Sequence, residues 1–288
     1  MQTSRSPMIP AFDAVASAYD TTFSETAVGR LLRARVRALA TRETAEARPA
    51  AALEINCGTG EDAVWLAKQG WQVLATDVSP EMVAATNARA RAAGLAGSIR
   101  VEVCAIEEIG RIRSDALLSE LRLIFSDFGG LNCLSPESLQ KLAIDLQLLM
   151  PSGGIFVAVV MGRFCWWETL YFLLKGKPRE AFRRLRKGPV NARLDEKTTV
   201  PTWYYSPAEF RRSMAQKQIL VVSVHPVGFW LPPSYLNPFF EKHPRLLRFL
   251  NTLEKKFTPS WVAPLADHFF ICFKLVPKPS DESIKEQA

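Results

Sequence analysis

Residues 52–63, ALEINCGTGEDA, hold the densest run of chemistry-bearing types in this chain of 288 residues. An apolar strand ends in Glu54, a tight turn Asn56-Cys57-Gly58-Thr59-Gly60 follows, and a helix opens near Glu61. Gly58 and Gly60 let a backbone approach a ligand without a Cβ in the way, and Asn56 is the non-glycine type that best tolerates positive φ. Seventeen residues beyond Gly60 the next strand ends in Asp77, where a carboxylate can accept hydrogen bonds from ribose hydroxyls. Residues 58–63, GTGEDA, formally fit a dinucleotide fingerprint, which would seat a pyrophosphate on the helix N-terminus. Glu61 and Asp62 occupy that turn, and their carboxylates would repel phosphates strongly. A ligand with an ammonium and a sulfonium but no phosphate suits acids at 54, 61 and 62. S-adenosylmethionine is such a ligand.

The elements that must position these residues are short apolar or β-branched runs at 52–55, 72–76, 99–103, 121–126, 155–161, 219–224 and 268–276, alternating with helical patterns. That rhythm predicts an α/β fold with a mostly parallel sheet covered on both faces. Ser79-Pro80, Ser135-Pro136 and Ser206-Pro207 each place a capping hydroxyl before a proline, and Glu209 completes a capping box with Ser206. Gly70 and Gly94 are expected to end the helices before them. Helix is also expected over 12–19 and 25–40. Two stretches break the rhythm, Gly162–Thr202 and Gly228–Ala266; both leave from or return to strand ends, so both are expected as caps over the ligand crevice. The ends, 1–10 and 277–288, are polar and expected to be loose, which leaves 11–276 as a single domain.

Four ordered segments, 52–62, VLATDVSPEMV at 73–83, LIFSDFGGLNCL at 123–134 and LMPSGGIFVAVV at 149–160, resemble the motifs of class I S-adenosylmethionine-dependent methyltransferases of the small-molecule type. The final strand from Asp267-His268 is similar as well. The resemblance implies a Rossmann-like sheet of seven strands, the last antiparallel, with S-adenosyl-L-methionine as cofactor. Carried over to this chain, it implies that Glu54, Gly58 and Gly60 line the methionine part, that Asn56, where the family commonly has Gly, belongs to the same cofactor-binding turn, that Asp77 holds the ribose, and that Val78 and Met82 meet the adenine. Tyr19, in FDAVASAYD, would approach the cofactor carboxylate. The chain departs from the family where an acid commonly follows the third strand. Cys104-Ala105-Ile106 stands there instead, which leaves Glu107, or backbone groups of Ala105 and Ile106, for the adenine.

A sulfonium methyl is already activated, so the expected reaction is in-line transfer to a positioned acceptor. His268, His225 and Glu168 are candidate bases, and Asp127, at the end of the fourth strand, could orient the acceptor; for His268 the competing reading is a structural Asp267-His268 pair. No Asn-Pro-Pro-Tyr-like motif follows the fourth strand, no metal-ligand cluster is visible, and of five scattered cysteines, which do not suit a disulfide scaffold, three (Cys57, Cys133 and Cys272) read as core rather than nucleophiles. Aromatics in 164–172 and at Phe229-Trp230 predict a bulky apolar or aromatic acceptor, against the reading of a lid packed on itself.

The net charge of +7 concentrates in Lys175–Lys187, which holds seven cations and one acid. A solvated helix face explains such a run. If functional, it favours an anionic or carrier-bound small molecule, or an anionic surface. An RNA- or protein-directed methyltransferase using 175–187, or a non-catalytic binding module, are the alternatives; nucleic acid is the less favoured partner. With no transmembrane run and no secretory leader in 1–10, a cytoplasmic location is expected.

Overall fold

The computed structural model describes residues 9–16, 19–194 and 198–276. Of the ends expected to be loose, 1–8 and 277–288 lie outside the described residues. The strands are β1 Ala51–Ile55, β2 Gln72–Asp77, β3 Ile99–Val103, β4 Leu121–Ser126, β5 Ile155–Met161, β6 Val190–Arg193, β7 Thr199–Thr202, β8 Ile219–Val227 and β9 His268–Leu275. The α-helices are α1 Ile9–Val15, α2 Ala27–Glu43, α3 Glu61–Lys68, α4 Pro80–Ala92, α5 Pro136–Leu149, α6 Trp166–Leu174, α7 Pro178–Ala181, α8 Pro207–Ser213, α9 Asn237–Glu241 and α10 Pro244–Lys256.

Seven strands form one sheet in the order β3-β2-β1-β4-β5-β9-β8. β1 to β5 pair in parallel, and β9 runs antiparallel between β5 and β8. The expected Rossmann-like sheet with its last strand antiparallel is therefore present. Its central strands are buried on both faces, and the period of two divides them. Ala52, Phe125, Val157 and Phe270 enter a core with α2, α3 and the 228–250 region, whereas Leu53, Ile124, Phe156 and Phe269 enter a second core with α5 and α8. β8 runs past the expected end at 224 to Val227, because it is the edge strand and tolerates Pro226, which lacks an N–H.

Helix starts follow the capping chemistry. Ser79, Ser135 and Ser206 each accept a backbone N–H three residues on, and Ser206 with Glu209 forms a full capping box. Gly70 and Gly94 take positive φ just beyond α3 and α4.

The stretch 162–202 is less irregular than expected. It contains α6, α7 and an antiparallel hairpin of β6 and β7, in which Val200 and Thr202 alternate inward with exposed Thr199 and Pro201. Buried Asn132 ties this hairpin to the sheet. Its Nδ2 donates to the carbonyls of Met161 (3.2 Å) and Trp203 (2.6 Å), and its Oδ1 accepts the Met161 N–H (2.9 Å). The stretch 228–266 contains α9 and α10, and it packs through Leu231, Phe240, Leu247 and Leu250 against α2.

One buried cation joins the first insertion to the sheet. Arg184 donates to Glu168 of α6 and to the Asp267 carboxylate, both at 2.7 Å, and to the carbonyls of Gly162 and Asp267, both at 3.2 Å. Arg183 adds a 2.7 Å bond to the other Glu168 oxygen. Part of the basic run, Arg183 and Arg184, is thus drawn inward, whereas Lys175, Lys177, Arg179, Arg186 and Lys187 are exposed, as a solvated face requires. Removing one partner from the buried group strands the others, at a cost of about 3–5 kcal/mol. Arg184→Met is expected to lower the urea unfolding free energy by that amount; a loss below about 1 kcal/mol would show that water replaces the cation.

Candidate active site

In an open α/β sheet, the place where strand order reverses leaves a crevice beyond the carboxyl ends of the strands. Here the reversal lies between β1 and β4. A cavity with about 1250 Å³ of empty space, including its open mouth, sits at that point. One half is walled by Tyr19, Asn56, Gly58, Asp77, Val78, Met82, Ile106 and Glu107; the other by Phe128, Cys133, Leu134, Met161 and the hairpin residues Leu194 and Val200.

The first half is built by the loop after β1. Asn56 takes φ +57° and Gly58 φ +54°. The Asn56 side chain explains why asparagine works here: its Nδ2 donates to the Asp127 carbonyl at 3.0 Å and its Oδ1 accepts from Ser126 Oγ, which laces β1 to the end of β4. A Cβ on Gly58 would meet nothing nearer than the Tyr19 ring at 4.0 Å, so the glycine faces open cavity. Gly60 differs, and the expectation that it lines a ligand is corrected. A Cβ there would come within 2.6 Å of Thr86, so this glycine serves the packing of α3 on α4. Asp77 Oδ2 accepts the Gly58 N–H at 2.9 Å and Oδ1 the Ser79 N–H at 3.0 Å. Burial pushes its pKa up to about 6, against the lowering effect of those N–H groups. Ala105 is not part of the wall, whereas its neighbours Ile106 and Glu107 are.

Beneath this half lies a set of buried carboxylates. Glu54 is buried, and its Oε2 has no hydrogen-bond partner among the described residues. Burial, then the charge of Asp127, pushes its carboxyl well above the usual range. Burial likewise raises Asp127, although Arg33 stands 3.2 Å from its Oδ2. Asp62 pairs with Arg33 and, at 2.8 Å, with Arg37. Carboxylates raised by confinement, one with an orphaned oxygen, fit a ligand that brings positive charge. The cavity thus meets the requirements of S-adenosylmethionine: an open glycine cradle, a strand-end acid and a local demand for a cation.

Arg33 itself was not among the residues singled out from the sequence. It lines the cavity, and its guanidinium lies over the rings of Phe23 (5.8 Å) and Phe128 (5.1 Å). The available signal is the pair Arg33 and Arg37, one turn apart on the helix before an acidic loop. Phe128 takes φ +40°, a strained value for a ring-bearing residue, and projects into the wall. Cys133, expected as core, also reaches the wall. Burial raises its thiol to about 12, and that of Cys57 well above its usual value.

The candidate bases separate. Asp127 faces the cavity. His268 does not reach the wall; it sits edge-on behind Phe128, centroids 5.4 Å apart, with Nδ1 3.3 Å from Asp267 Oδ2. Burial would raise Asp267, but His268 and Arg184 hold it well below the usual carboxylate range. His225 is corrected: its side chain projects from β8 toward the C-terminal end of α2, where Arg42, Glu43 and Ser260 surround it, so it cannot act in the cavity. Glu168 is committed to Arg183 and Arg184. The aromatics of both insertions pack on one another. Trp166 meets Trp167 and Phe229, and Tyr171 meets Tyr235, away from the cavity wall. The 228–266 stretch buttresses α2 and is absent from the wall, so the hairpin of the first stretch alone supplies the expected cap.

Comparison with known proteins bears on the domain and the fold. Residues 52–154 match the family model of a methyltransferase domain. No curated protein matches the chain. Among solved structures, the chain resembles the CcbJ methyltransferase from Streptomyces caelestis at 16% identity and a TM-score of 0.53, over 84% of this chain and 89% of that one. It also resembles the geranyl diphosphate C-methyltransferase from Streptomyces coelicolor A3(2), at 13% identity and a TM-score of 0.51, over 84% and 81%. A third, the [4+2]-cyclase SpnF, matches at 12% identity and a TM-score of 0.51, over 85% and 81%. Residues 52–154 thus match a methyltransferase domain, and the ordered motifs and the sheet have the Rossmann-like fold of class I methyltransferases.

Proposed function

We propose that the acceptor is a small, largely apolar organic molecule held between Phe128, Met161 and the β6–β7 hairpin. The observation that carries this reading is the second half of the cavity, where Phe128, Leu134, Met161, Leu194 and Val200 form a largely apolar wall, with Arg33, Asp127, Arg193 and Thr202 as its polar side chains. When bound, the cofactor supplies a sulfonium-activated methyl group. Asp77 would hold the ribose, Gly58 would admit the chain of the cofactor, and the acids under the loop would favour its cationic end. Val78, Met82 and Ile106 would bracket the adenine, with Glu107 within the same wall.

Around the site of transfer, the residues position rather than ionise. Tyr19 is pushed up to about 12, chiefly by burial, so its hydroxyl stays protonated and can only donate or accept a hydrogen bond. Asp127 is tethered by Arg33 and keeps lone pairs free to orient an acceptor O–H or N–H. Arg193, on the hairpin at the cavity wall, would pair with an anionic group on the acceptor. Exclusion of water by Phe128, Leu134 and Val200, together with alignment, is the main contribution this wall can make.

The direct test is transfer of labelled methyl from S-adenosylmethionine to a panel of apolar hydroxy, amino and enolisable compounds; the reading fails if only polar or macromolecular substrates are labelled. Asp77→Asn is expected to weaken cofactor binding about 10- to 100-fold by calorimetry, since it removes an ionised acceptor of hydrogen bonds. With the native residue, cofactor affinity should be flat above about pH 6 and fall as pH drops through that value and Asp77 takes up its proton. A profile flat to pH 4.5 (about 1.5 units lower) would remove Asp77 from the ribose. Leu194→Asp should raise the acceptor KM about tenfold or more and leave the cofactor Kd unchanged; a change confined to cofactor binding would misplace the acceptor.

A further inference from the structure

The charge of the chain is divided unevenly. Segment 162–202 has ten cations against four acids and 228–266 has five against two, so the insertions carry +6 and +3 and the remaining chain is left at −2. The same insertions expose apolar side chains. On α6, Leu170, Leu173 and Leu174 lie three and four residues apart on one face, and all are exposed, Leu174 by 80%. Phe182 and Leu185 follow, also exposed. On α10 the buried stripe is Leu247, Leu250 and Glu254, which turns Phe249 outward, 59% exposed, among Arg245, Arg248 and Lys256.

Ring contacts link the elements that carry these two sets. Trp167 of α6 packs edge-on against Phe240 of α9 at 6.1 Å, Tyr171 lies 5.8 Å from Tyr235, and Phe239 stacks on His243 at the start of α10. Of the cations in 175–187, only Arg183 and Arg184 pair with a carboxylate among the described residues. The others, Lys175, Lys177, Arg179, Arg186 and Lys187, are exposed and interleave with the leucines and Phe182.

An exposed apolar ridge set among unpaired cations discriminates between occupants. A second copy of the same face would set like charges against each other. A nucleic acid would pair with the cations but leave the leucines against phosphate and water. An anionic bilayer satisfies both, with headgroups at the lysines and arginines and the acyl boundary at the leucines and phenylalanines. We propose that the surface of α6, the 175–187 segment and α10 docks the protein on the surface of an anionic lipid bilayer. No helix among the described residues is long and apolar enough to cross one, so the attachment is peripheral. This surface is separate from the cavity wall, and the proposal does not depend on which acceptor is methylated.

Flotation of the full chain with vesicles tests it. Equimolar phosphatidylglycerol and phosphatidylcholine vesicles are expected to bind the protein at least tenfold more tightly than phosphatidylcholine alone, and less so as salt rises. Each cation lost should weaken binding about fivefold, so the triple variant Lys177→Ser, Arg179→Ser, Lys187→Ser loses about a hundredfold. Leu174→Ser and Phe249→Ser should each lose about tenfold. Calorimetry of S-adenosylmethionine binding, unchanged in every variant, establishes that they are folded. Absence of binding to anionic vesicles, or equal binding by the native chain and the variants, overturns the proposal. So does tight binding of RNA or an acidic protein without vesicle binding, or a dimer in solution that Leu174→Ser dissolves.

Discussion

Four carboxylates crowd the ends of β1, β2 and β4 and the first turn of α3, and two guanidiniums of α2 keep them together. Asp62 and Asp127 are held by Arg33, and Arg37 holds Asp62 a second time. Glu54 and Asp77 have no arginine of their own and remain raised by burial. The sheet order creates the crevice, but this unequal compensation gives it a sign. Enough positive charge is present to let the strand ends pack, and too little to neutralise them. The placement of α2 across the crevice, the pairing of its arginines and the acidic floor of the cavity are one constraint seen from three sides.

The two insertions divide the remaining work. The first contributes the hairpin that walls the cavity beside Phe128 and Met161, anchored at its root by Arg184 and at its far side by Asn132. The second never reaches the cavity and instead fills the outer flank of α2, so it supports the arginines from behind. Sequence position gave both stretches the same expectation, because both depart from strand ends. Only packing separates them: Val200 and Thr202 turn toward the strand ends, whereas Leu231, Phe240 and Leu247 close over Leu32 and Val36.

Much of the fold was legible because the signals were local. Apolar runs marked the seven sheet strands to within a few residues, and Ser-Pro pairs marked the starts of α4, α5 and α8. The glycine loop and Asp77 were legible through spacing. The hairpin was missed because four-residue strands, one containing Pro201, carry too little period-two pattern to stand out. Gly58 and Gly60 look alike in sequence, and their difference, open space against Thr86, exists only once α4 is packed. His225 and Glu168 looked like bases because residue type carries no information about partners; Arg42 and Arg183–Arg184 had claimed them. Arg33 was hidden for the converse reason, as one arginine among several on α2.

The lacing of β1 to β4 also constrains how this chain can change over time. The Asn56 side chain fills the space where a side chain at 130 would lie: a Cβ on Gly130 would fall 2.2 Å from the Asn56 carboxamide carbon. The two positions therefore share one volume, and only one can use it. A larger residue at 130 becomes accessible after 56 has turned to glycine, whereas the reverse order passes through a clash in the floor of the cofactor site. The path between the two arrangements must pass through glycine at both positions, an epistasis written into the switch point of the sheet.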